Sequence, residues 1–511
     1  MIHYALNNPI SALLDKPKQE FTRNDLIKVI EKNSIERITF HYTALDGKLK
    51  EMKIPIANRN QAERILTDGE RVDGSSLFKG IVDVGVSDLF ILPVYKSAFF
   101  NPFDPGSLDF ICRYLNRDGE PAPFTLDNIL LNAYRLFTER TGFDLNVLGE
   151  LEFYLLMEPE NTDYSGLKQR GYHESSPFVK SGPVVNEILR LLTQITGAIK
   201  YAHSEVGYID HVRSNLPEIH GKMAEQLEIE FLPAPVDESA DALVLARWII
   251  RNVAYQHRCI ATFSPKIEEG HAGNGFHFHM ELVKNAKNAM TRKDGSLSVE
   301  AKKLIGGLCR HADSLTAFGN TVSSAYLRLV PNQEAPTRVC WSDLNRSTMI
   351  RVPLGWGTID NLAMRVNTQE TNRLENLGSR QTVEIRTPDG SAMVHLLLAG
   401  ITMAGEWGLT NEEALEIADK LYVTGNIFEK TSLLKSLRQL PGSCVESARI
   451  LAENRKLYER DHVFPPGVID YVIDLLNREN DEKMNTVLAN LPADDRLTET
   501  RKIMHKDLHR H

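Results

Sequence analysis

The sequence predicts an α+β protein with a small N-terminal unit and a larger domain built around a curved sheet. About the first hundred residues combine one amphipathic helical pattern with several short strand patterns, which suits a small mixed unit. Farther along the chain, separated strand patterns place apolar residues on one face and formal charges on the other. Strands of this kind are typical of a curved sheet whose polar side lines a funnel.

The overall composition limits the class of protein. The chain has 511 residues, more than one ordinary core holds, and its 42% hydrophobic and 25% charged residues are typical of a globular protein. A net charge of -9 argues against a nucleic-acid or anionic-membrane partner. There is no signal-peptide pattern and no apolar run of about 18 residues, so we expect no membrane partner and a cytoplasmic location.

The predicted first domain begins near residue 20. The segment FTRNDLIKVIEKN has apolar residues at helical spacing, and two alternating runs then flank Asp46-Gly47, a pair typical of hairpin turns. The polar stretch at residues 115–130 contains two prolines and indicates a linker that ends in a helix. These boundaries divide the chain into domains at residues 20–115 and 116–511.

The most informative stretch is GHAGNGFHFHMEL, at residues 270–282. Its three glycines predict a loop that another segment or a ligand can approach closely. The second half alternates, so that His277, His279 and Glu281 share one strand face and four apolar residues share the other. A half-exposed edge strand with solvated polar residues would show the same pattern.

Other segments carry polar residues that match this strand. In LNVLGELEFYLLM, Glu150 and Glu152 share a face, and such a carboxylate pair favours a nearby cation. In RQTVEIRTPDGSA, Glu384 and Arg386 share a face. The segments SAYLRLVPNQEAPTRVCW and NRSTMIRVP are also strand-like and carry further arginines, namely Arg328, Arg346 and Arg351.

Two other regions give weaker signals. Residues 199–236 look less regular, although they carry Glu205, Glu225, Glu228 and Glu230. The closing segment HKDLHRH contains three histidines without further ligand residues around them, and we expect it to form a solvated tail.

The charged residues together indicate metal and phosphate chemistry. Carboxylates combined with one imidazole suit Mg²⁺ or Mn²⁺ more than zinc. Clustered arginines bind phosphate or carboxylate oxygens in a bidentate manner, and the combination of metal and arginine is typical of phosphoryl transfer. The sequence contains neither a P-loop nor a Rossmann fingerprint.

Six motifs, in family order, resemble those of the glutamine synthetase family. They are VDGSSLFKG, GELEFYLL, AGNGFHFHMEL, YLRLVPNQEAP, NRSTMIRVP and VEIRTPDGSA. The resemblance implies an N-terminal β-grasp domain and a C-terminal catalytic domain with a curved antiparallel sheet flanked by helices. It also implies a homo-oligomeric ring, a dodecamer or decamer, with active sites between subunits.

The resemblance further implies a reaction, in which glutamate and ammonia are joined with ATP hydrolysis through γ-glutamyl phosphate. It implies two or more Mg²⁺ (or Mn²⁺) ions per active site, one held by Glu152, Glu205 and Glu228 and another held by Glu150, His277 and Glu384. The implied catalytic residues are Asp73, Glu334 and Arg346. The implied substrate-binding residues are Gly273, Arg328 and Arg386, and the implied ATP-binding residues are His279, Arg346 and Arg351.

The chain departs from the family pattern in two segments, one that carries predicted metal ligands and one that lies near the predicted substrate. An extra segment separates Glu205 from Glu228, so Glu225 or Glu230 is an alternative to Glu228. Ala272 stands where asparagine commonly precedes the motif's glycine. A γ-glutamyl ligase for another amine, such as a polyamine or ethanolamine, therefore stays open. A non-catalytic relative and, more distantly, a guanidino kinase are the remaining alternatives.

Overall fold

Two β-sheets organise the chain, and we call them the N-terminal sheet and the central sheet. The structure, a computed structural model, describes residues 4–159, 163–330, 335–355, 359–375, 378–429 and 431–511. The N-terminal sheet contains β1 (Arg37–Thr43), β2 (Leu49–Pro55), β3 (Glu70–Asp73), β4 (Asp88–Pro93), β5 (Phe99–Phe100) and β6 (Ser107–Leu115). Its strand order is β2-β1-β6-β4-β3, with β5 paired to β6. Strands β1 and β6 are parallel, and the other pairs are antiparallel.

The central sheet is larger and follows the first one in the chain. Its strands are β7 (Asp144–Met157), β8 (Ile199–Ile209), β9 (Met223–Phe231), β10 (Ala234–Pro235), β11 (Ile260–Thr262), β12 (Phe276–Lys284), β13 (Lys287–Asn288), β14 (Trp341–Asp343), β15 (Ile350–Val352) and β16 (Val383–Ile385). The main order is β14-β15-β16-β12-β7-β9-β8. Apart from the parallel pair β14–β15, the described pairs are antiparallel.

Helices precede, connect and follow the strands. They are α1 (Pro9–Leu14), α2 (Arg23–Lys32), α3 (Arg59–Asp68), α4 (Gly74–Leu77), α5 (Leu126–Thr141), α6 (Gly182–Thr196), α7 (Val236–Gln256), α8 (Val299–Gly319), α9 (Ala325–Arg328), α10 (Ala363–Val366), α11 (Val394–Thr410), α12 (Glu413–Leu421), α13 (Thr431–Ser436), α14 (Cys444–Glu459), α15 (Pro466–Asn477), α16 (Met484–Ala489) and α17 (Ala493–His505). Among the described helices, none has the length and apolar content needed to cross a membrane.

The local signals of the first domain are confirmed. Helix α2 begins with a capping box, in which the Thr22 side chain accepts from the Asp25 amide and the Asp25 carboxylate accepts from the Thr22 amide. Strands β1 and β2 form the predicted hairpin, and Gly47 takes a φ of +77° in its turn. That left-handed conformation favours glycine, which explains the signal at Asp46-Gly47.

The predicted apolar face of β12 is buried. Phe276, Phe278, Met280 and Leu282 are all 0% exposed and belong to a hydrophobic cluster that includes residues of both sheets. Full burial of each such side chain contributes about 2 kcal/mol. Because one face of the strand is fixed in the core, its polar residues must face the opposite side of the sheet.

The segment predicted to be irregular at residues 199–236 is a long strand pair instead. Strands β8 and β9 pair antiparallel, with a register shift between Ser204 and Tyr208. Every residue of β9 is buried, including its glutamates, so exposure does not alternate along it. Apolar and polar residues alternate only over residues 227–231 of β9, and the register shift interrupts the pairing with β8, so the sequence shows no long strand pattern here.

Two further expectations were wrong. Arg328 was expected on a strand, but it lies at the end of the short helix α9. The C-terminal histidines were expected in a solvated tail, but His505 is 4% exposed, with its Nδ1 2.9 Å from Ser214 Oγ and its Nε2 2.8 Å from the Ile267 carbonyl. The tail therefore packs along the central sheet.

The N-terminal sheet contacts helix α7 of the second domain through charged and aromatic side chains. Arg113 on β6 contacts Asp241 on α7, with Nη2 2.5 Å from Oδ2. Burial would raise the pKa of Asp241, but Arg113 and His395 lower it to about 2. The rings of His41 and Trp248 pack edge to face with centroids 5.0 Å apart.

Strand β6 ends at Leu115, and the domain boundary between residues 115 and 116 stays a prediction.

A buried histidine on α8 gives a testable pH dependence. In the described part of the chain, neither ring nitrogen of His311 has a hydrogen-bond partner, and burial together with nearby arginines lowers its pKa to about 3. The unfolded chain binds this proton near pH 6.5, so the free energy of unfolding must fall as the pH falls from about 6.5 toward 3. Between pH 7.5 and pH 5, the wild type should lose about 2 kcal/mol more free energy of unfolding than the His311→Leu variant. Urea titrations of both proteins at the two pH values measure this difference. An equal loss in both proteins would contradict the prediction.

Candidate active site

A cavity of about 850 Å³ opens on the polar face of the central sheet. Its described lining residues all lie at or beyond Glu150 in the chain. Nine of the predicted site residues line it, namely Glu150, Glu152, Glu205, Glu228, Gly273, His277, Arg328, Arg346 and Arg386. Two more, His279 and Glu384, contact members of this group, and Arg351 contacts Glu384. The separate strands of the sequence therefore converge on one place.

The carboxylate of Glu150 lies between two imidazoles. His277 Nδ1 is 2.9 Å from its Oε2, and His279 Nε2 is 2.9 Å from its Oε1. Burial would raise the pKa of Glu150, but His279 and His277 outweigh that effect and hold the pKa well below its usual range. Burial likewise opposes the charging of His279, whereas the adjacent Glu150 raises its pKa. This cluster thus holds a charged carboxylate in a largely buried place.

Glu384 is the second carboxylate of this cluster, and it lies opposite His279 in the β12–β16 pair. It is 1% exposed and contacts Arg351 Nη1 at 2.8 Å and Arg386 Nε at 3.0 Å. Glu150, His279 and Glu384 can each offer one ligand atom within 4.8 Å of the others. His277 Nδ1 also lies 3.6 Å from Glu384. Both histidines are close enough to take part, and the choice of His277 as the metal ligand stays a prediction.

A second cluster lies across β7, β9 and β8. Glu228 stands directly opposite Glu152 on one side and opposite His203 on the other. His203 Nε2 is 3.1 Å from Glu228, and His203 Nδ1 is 3.8 Å from Glu205. His203, Glu205 and Glu228 form the other described group that could hold a metal ion.

The electrostatics of the second cluster fit a bound cation. Burial raises the pKa of Glu152 to about 7, with a further rise from Glu205. Burial, followed by the charges of Glu150, Glu152 and Glu384, raises the pKa of Glu228 well above its usual value. In both carboxyls the effect of burial and of neighbouring carboxylates outweighs that of the nearby positive groups. A divalent cation would deprotonate and bind such carboxyls. The donor set of oxygens with few nitrogens suits Mg²⁺ or Mn²⁺.

Glu225 and Glu230, the alternatives to Glu228, have partners outside the cavity. Glu225 lies on the opposite face of β9, where its carboxylate accepts from the amides of Lys180 and Ser181 at 2.8 and 2.9 Å. It therefore supports the start of α6 rather than the cavity. Glu230 shares the face of Glu228, but it pairs with Lys200 at 2.5 Å. Of the three glutamates, Glu228 is the one that lines the cavity.

Two glycines create space for the arginine and the histidine of the site. A Cβ on Gly273 would lie 3.0 Å from Arg328 Cγ, and a Cβ on Gly275 would lie 2.5 Å from His277 Nε2. Arg328 uses this space to donate to the Thr387 carbonyl at 3.0 Å. The loop that the sequence predicted as open to close approach is filled by the site's own side chains.

The remaining arginines are joined to the same network. Arg386 donates to the backbone carbonyl of Arg346 and so fixes the segment that presents Arg346. The Arg346 side chain is exposed and lines the cavity. The cavity is therefore lined by both arginines and carboxylates. Such a mixture of charges is suited to binding an anionic substrate together with a cation.

Of the predicted site residues that the structure describes, Asp73 is not brought to this cavity. Asp73 is exposed on the N-terminal domain, where it accepts from the Ser75 and Ser76 hydroxyls at 2.7 and 2.6 Å. These hydrogen bonds, that of Ser76 first, hold the pKa of Asp73 below its usual range. Glu334 lies outside the described residues. The roles given to both residues stay predictions.

Sequence reasoning missed two residues of the site. His203 precedes Glu205 by two positions and would have been placed on the same face if β8 had been recognised. The Gln226 amide donates to Glu152 at 3.2 Å and to the Gly273 carbonyl at 3.0 Å, which joins the carboxylate to the glycine loop. No sequence signal marked Gln226, because its role depends on the pairing of β9 with β7.

Comparisons with known proteins agree with this architecture. Family models match residues 34–117 as "Glutamine synthetase, beta-Grasp domain" and residues 128–490 as "Glutamine synthetase, catalytic domain". The chain is 30% identical to the glutamine synthetase of Pyrococcus horikoshii over 397 residues, covering 77% of this chain and 78% of that protein. It is 26% identical to the glutamine synthetase of Staphylococcus epidermidis over 451 residues, covering 86% and 91%.

Solved structures share the fold. The structure of Plasmodium falciparum glutamine synthetase matches with a TM-score of 0.71 at 19% identity, covering 93% of this chain and 98% of that one. A structure described as "Apo GmaS without ligand" matches with a TM-score of 0.68 at 20% identity over the same shares. At these identities the likeness concerns the fold alone.

The fold, the site and the family matches define an ATP-dependent carbon–nitrogen ligase. The chain belongs to the glutamine synthetase family. The expected α+β fold, with an N-terminal β-grasp domain and a catalytic domain built on a curved sheet flanked by helices, is confirmed. The family uses ATP and a divalent metal, and the two carboxylate and imidazole clusters are suited to such ions.

Proposed function

We propose that the protein joins glutamate and ammonia to form glutamine, with ATP hydrolysis and γ-glutamyl phosphate as the intermediate. The observation that carries this proposal is one cavity that combines two carboxylate and imidazole clusters with Arg328, Arg346 and Arg386. Its volume of about 850 Å³ suits small-molecule substrates. A charged amino acid, a nucleotide phosphate and divalent cations need this mixture of charges.

Two groups of residues would hold the divalent cations. Glu152, Glu205 and Glu228 would hold one ion, and Glu150, His277 and Glu384 would hold the other. When bound, Mg²⁺ or Mn²⁺ neutralises the charge of the phosphate oxygens and of the glutamate side chain. His203 is a further candidate for the first group, because it contacts Glu228 at 3.1 Å.

The chain's own residues bind and orient the substrates. Arg328 and Arg386 would bind the glutamate carboxylate, and the Gly273 backbone, which lines the cavity, would contact the substrate. His279, Arg346 and Arg351 would contact the nucleotide and its phosphates. The charges of the arginines, held in place by carbonyls and Glu384, would then stabilise charge as the phosphoryl group moves.

The ammonia site would come from a neighbouring subunit in a homo-oligomeric ring, a dodecamer or decamer. Asp73 would bind ammonium and help to remove its proton. This role is supported by its exposure on the N-terminal domain and by the serine hydroxyls that keep its carboxylate charged. The location we propose is cytoplasmic.

Ala272 favours a second candidate, a γ-glutamyl ligase for another amine. It lines the cavity and is 4% exposed; its carbonyl accepts from the Tyr154 hydroxyl at 2.9 Å. The methyl side chain cannot hydrogen-bond to the amino acid end of a substrate, as the asparagine common at this position could. A polyamine or ethanolamine would then be the acceptor. Each of the six predicted metal-ligand positions carries a glutamate or a histidine. A non-catalytic relative would be expected to have lost some of these ligands, so this alternative is disfavoured.

An amine panel tests the proposal. Phosphate release is measured with glutamate, ATP and Mg²⁺ while ammonia, methylamine, putrescine and ethanolamine are varied, with an amine-free reaction as the background. We expect the highest kcat/KM with ammonia. A preference of about tenfold or more for an organic amine would instead establish the second candidate. If no amine raises phosphate release above that of the amine-free reaction, the non-catalytic alternative is favoured.

A further inference from the structure

A second cavity of about 160 Å³ lies between the two domains and shares no lining residue with the active-site cavity. It is bounded by the β1–β2 turn at residues 46–49, by α7, by Ala392 and by the C-terminal tail. Its lining includes the nitrogen-bearing side chains Lys48, Arg247, Arg251 and His511. The proposed function uses none of these four residues.

Several buried donors around this cavity lack a partner within the described chain. Arg247 is 6% exposed and donates to the carbonyls of Ala392 and Gly390 at 3.2 and 3.0 Å, but its Nε has no acceptor. The Nη2 of Arg251 and the Nε2 of His511 are also buried without a hydrogen-bond partner. Buried donors, and charged ones above all, are normally satisfied, because leaving them unpaired costs free energy.

The charge around the cavity is also unbalanced. Asp46 is the one acid among the described lining residues, and its carboxylate already pairs with Lys50 at 2.7 Å. Burial, together with the nearby Arg251, lowers the pKa of Arg247 to about 9, and burial lowers that of Arg251 to about 10. The nearby carboxylates are Asp46 and Asp389, and the charge of Asp389 raises the pKa of Arg247. The two guanidinium groups and one ammonium group therefore outnumber the carboxylates beside them.

We propose that this cavity binds a small oxyanion, a phosphate or a carboxylate, between Arg247, Arg251 and Lys48. Guanidinium groups bind both kinds of oxyanion in a bidentate manner. The volume of 160 Å³ is close to that of cavities that hold a molecule of about six non-hydrogen atoms, so a nucleotide does not fit.

The anion would connect the two domains to the active-site sheet. Lys48 belongs to the first domain, whereas Arg247 and Arg251 belong to α7 of the second. Arg247 holds the carbonyls of Gly390 and Ala392, in the segment that follows Arg386. The source that this proposal names is a free anion from solution.

Calorimetric titration of the full-length protein with sodium phosphate and sodium acetate, at constant ionic strength, tests the free-anion source. We expect one anion-binding site per chain that disappears in Arg251→Gln. The Arg64→Gln variant removes the same charge from an exposed position and should keep the site. The Arg346→Gln variant should also keep it, which separates this cavity from anion binding at the active site. At ten times the Kd, the anion should increase the folded-to-unfolded ratio about 11-fold in the wild type.

The proposal is overturned if no anion-binding site is lost in Arg251→Gln, or if the site that is lost in Arg251→Gln is lost in Arg346→Gln as well. None of these outcomes depends on which amine the enzyme uses.

Discussion

The Glu150→Gln variant is expected to lower kcat for ATP-dependent ligation by about a thousandfold. The substitution keeps the size of the side chain but removes the charge that faces His277 and His279, each 2.9 Å away. It also removes one of the carboxylates that would hold a divalent cation. Steady-state kinetics give kcat, and calorimetric titration with Mg²⁺ or Mn²⁺ should show weaker binding to the variant.

Glu281→Gln is the matched control for this experiment. Glu281 lies on the same face of β12 as both histidines, but its carboxylate accepts from the side-chain amides of Asn146 and Asn288 at 3.0 and 2.6 Å. It does not line the cavity. Its variant should keep kcat within a few fold. If Glu150→Gln retains the activity and metal affinity of the wild type, the assignment of metal ligands is wrong.

The Gly275→Ala variant should lose most activity although it adds a single methyl group. The new Cβ would lie 2.5 Å from His277 Nε2, 2.9 Å from Arg328 Nη2 and 3.1 Å from Glu152 Oε1. All three side chains would have to move, and misplaced catalytic groups cost about a hundredfold in rate. Overpacking of this kind also destabilises by about 1–3 kcal/mol. Steady-state kinetics and urea titration measure the two effects separately.

A second glycine gives the comparison for that variant. Gly467 lies near the start of α15, and a Cβ there would meet nothing within 4 Å. Gly467→Ala should keep full activity and gain about 0.4–1 kcal/mol, because alanine has less conformational freedom to lose on folding. Full activity in Gly275→Ala would show that the convergence of side chains on Gly275 has no catalytic consequence.

Strands whose two faces differ in polarity could be predicted from the sequence. Leu151 and Phe153 alternate with Glu150 and Glu152, and the structure buries the two apolar residues while the two glutamates line the cavity. The period of two is a property of a single strand, so it is visible before any pairing is known. The same reasoning placed His277 and His279 together on the polar face of their strand.

The parts that escaped prediction depend on contacts between distant segments. The sequence does not show which of Glu225 and Glu228 faces the cavity. In the structure, Glu225 accepts from the backbone amides just before α6, and Glu228 lines the cavity. Arg328 lies in a run that resembles a strand, but the chain turns there into the short helix α9. The tail histidines carry no signal for burial, because the partners of His505 lie more than two hundred residues away.

The buried contact between Arg113 and Asp241 limits how this protein can be altered by recombination. Asp241 receives its main counter-charge from β6 of the other domain. A first domain taken from a relative therefore has to bring an arginine to this place, or the receiving helix α7 keeps an uncompensated carboxylate, at a cost of about 3–5 kcal/mol. Exchange of the two domains between family members is thus restricted to pairs in which the arginine and the aspartate are both present.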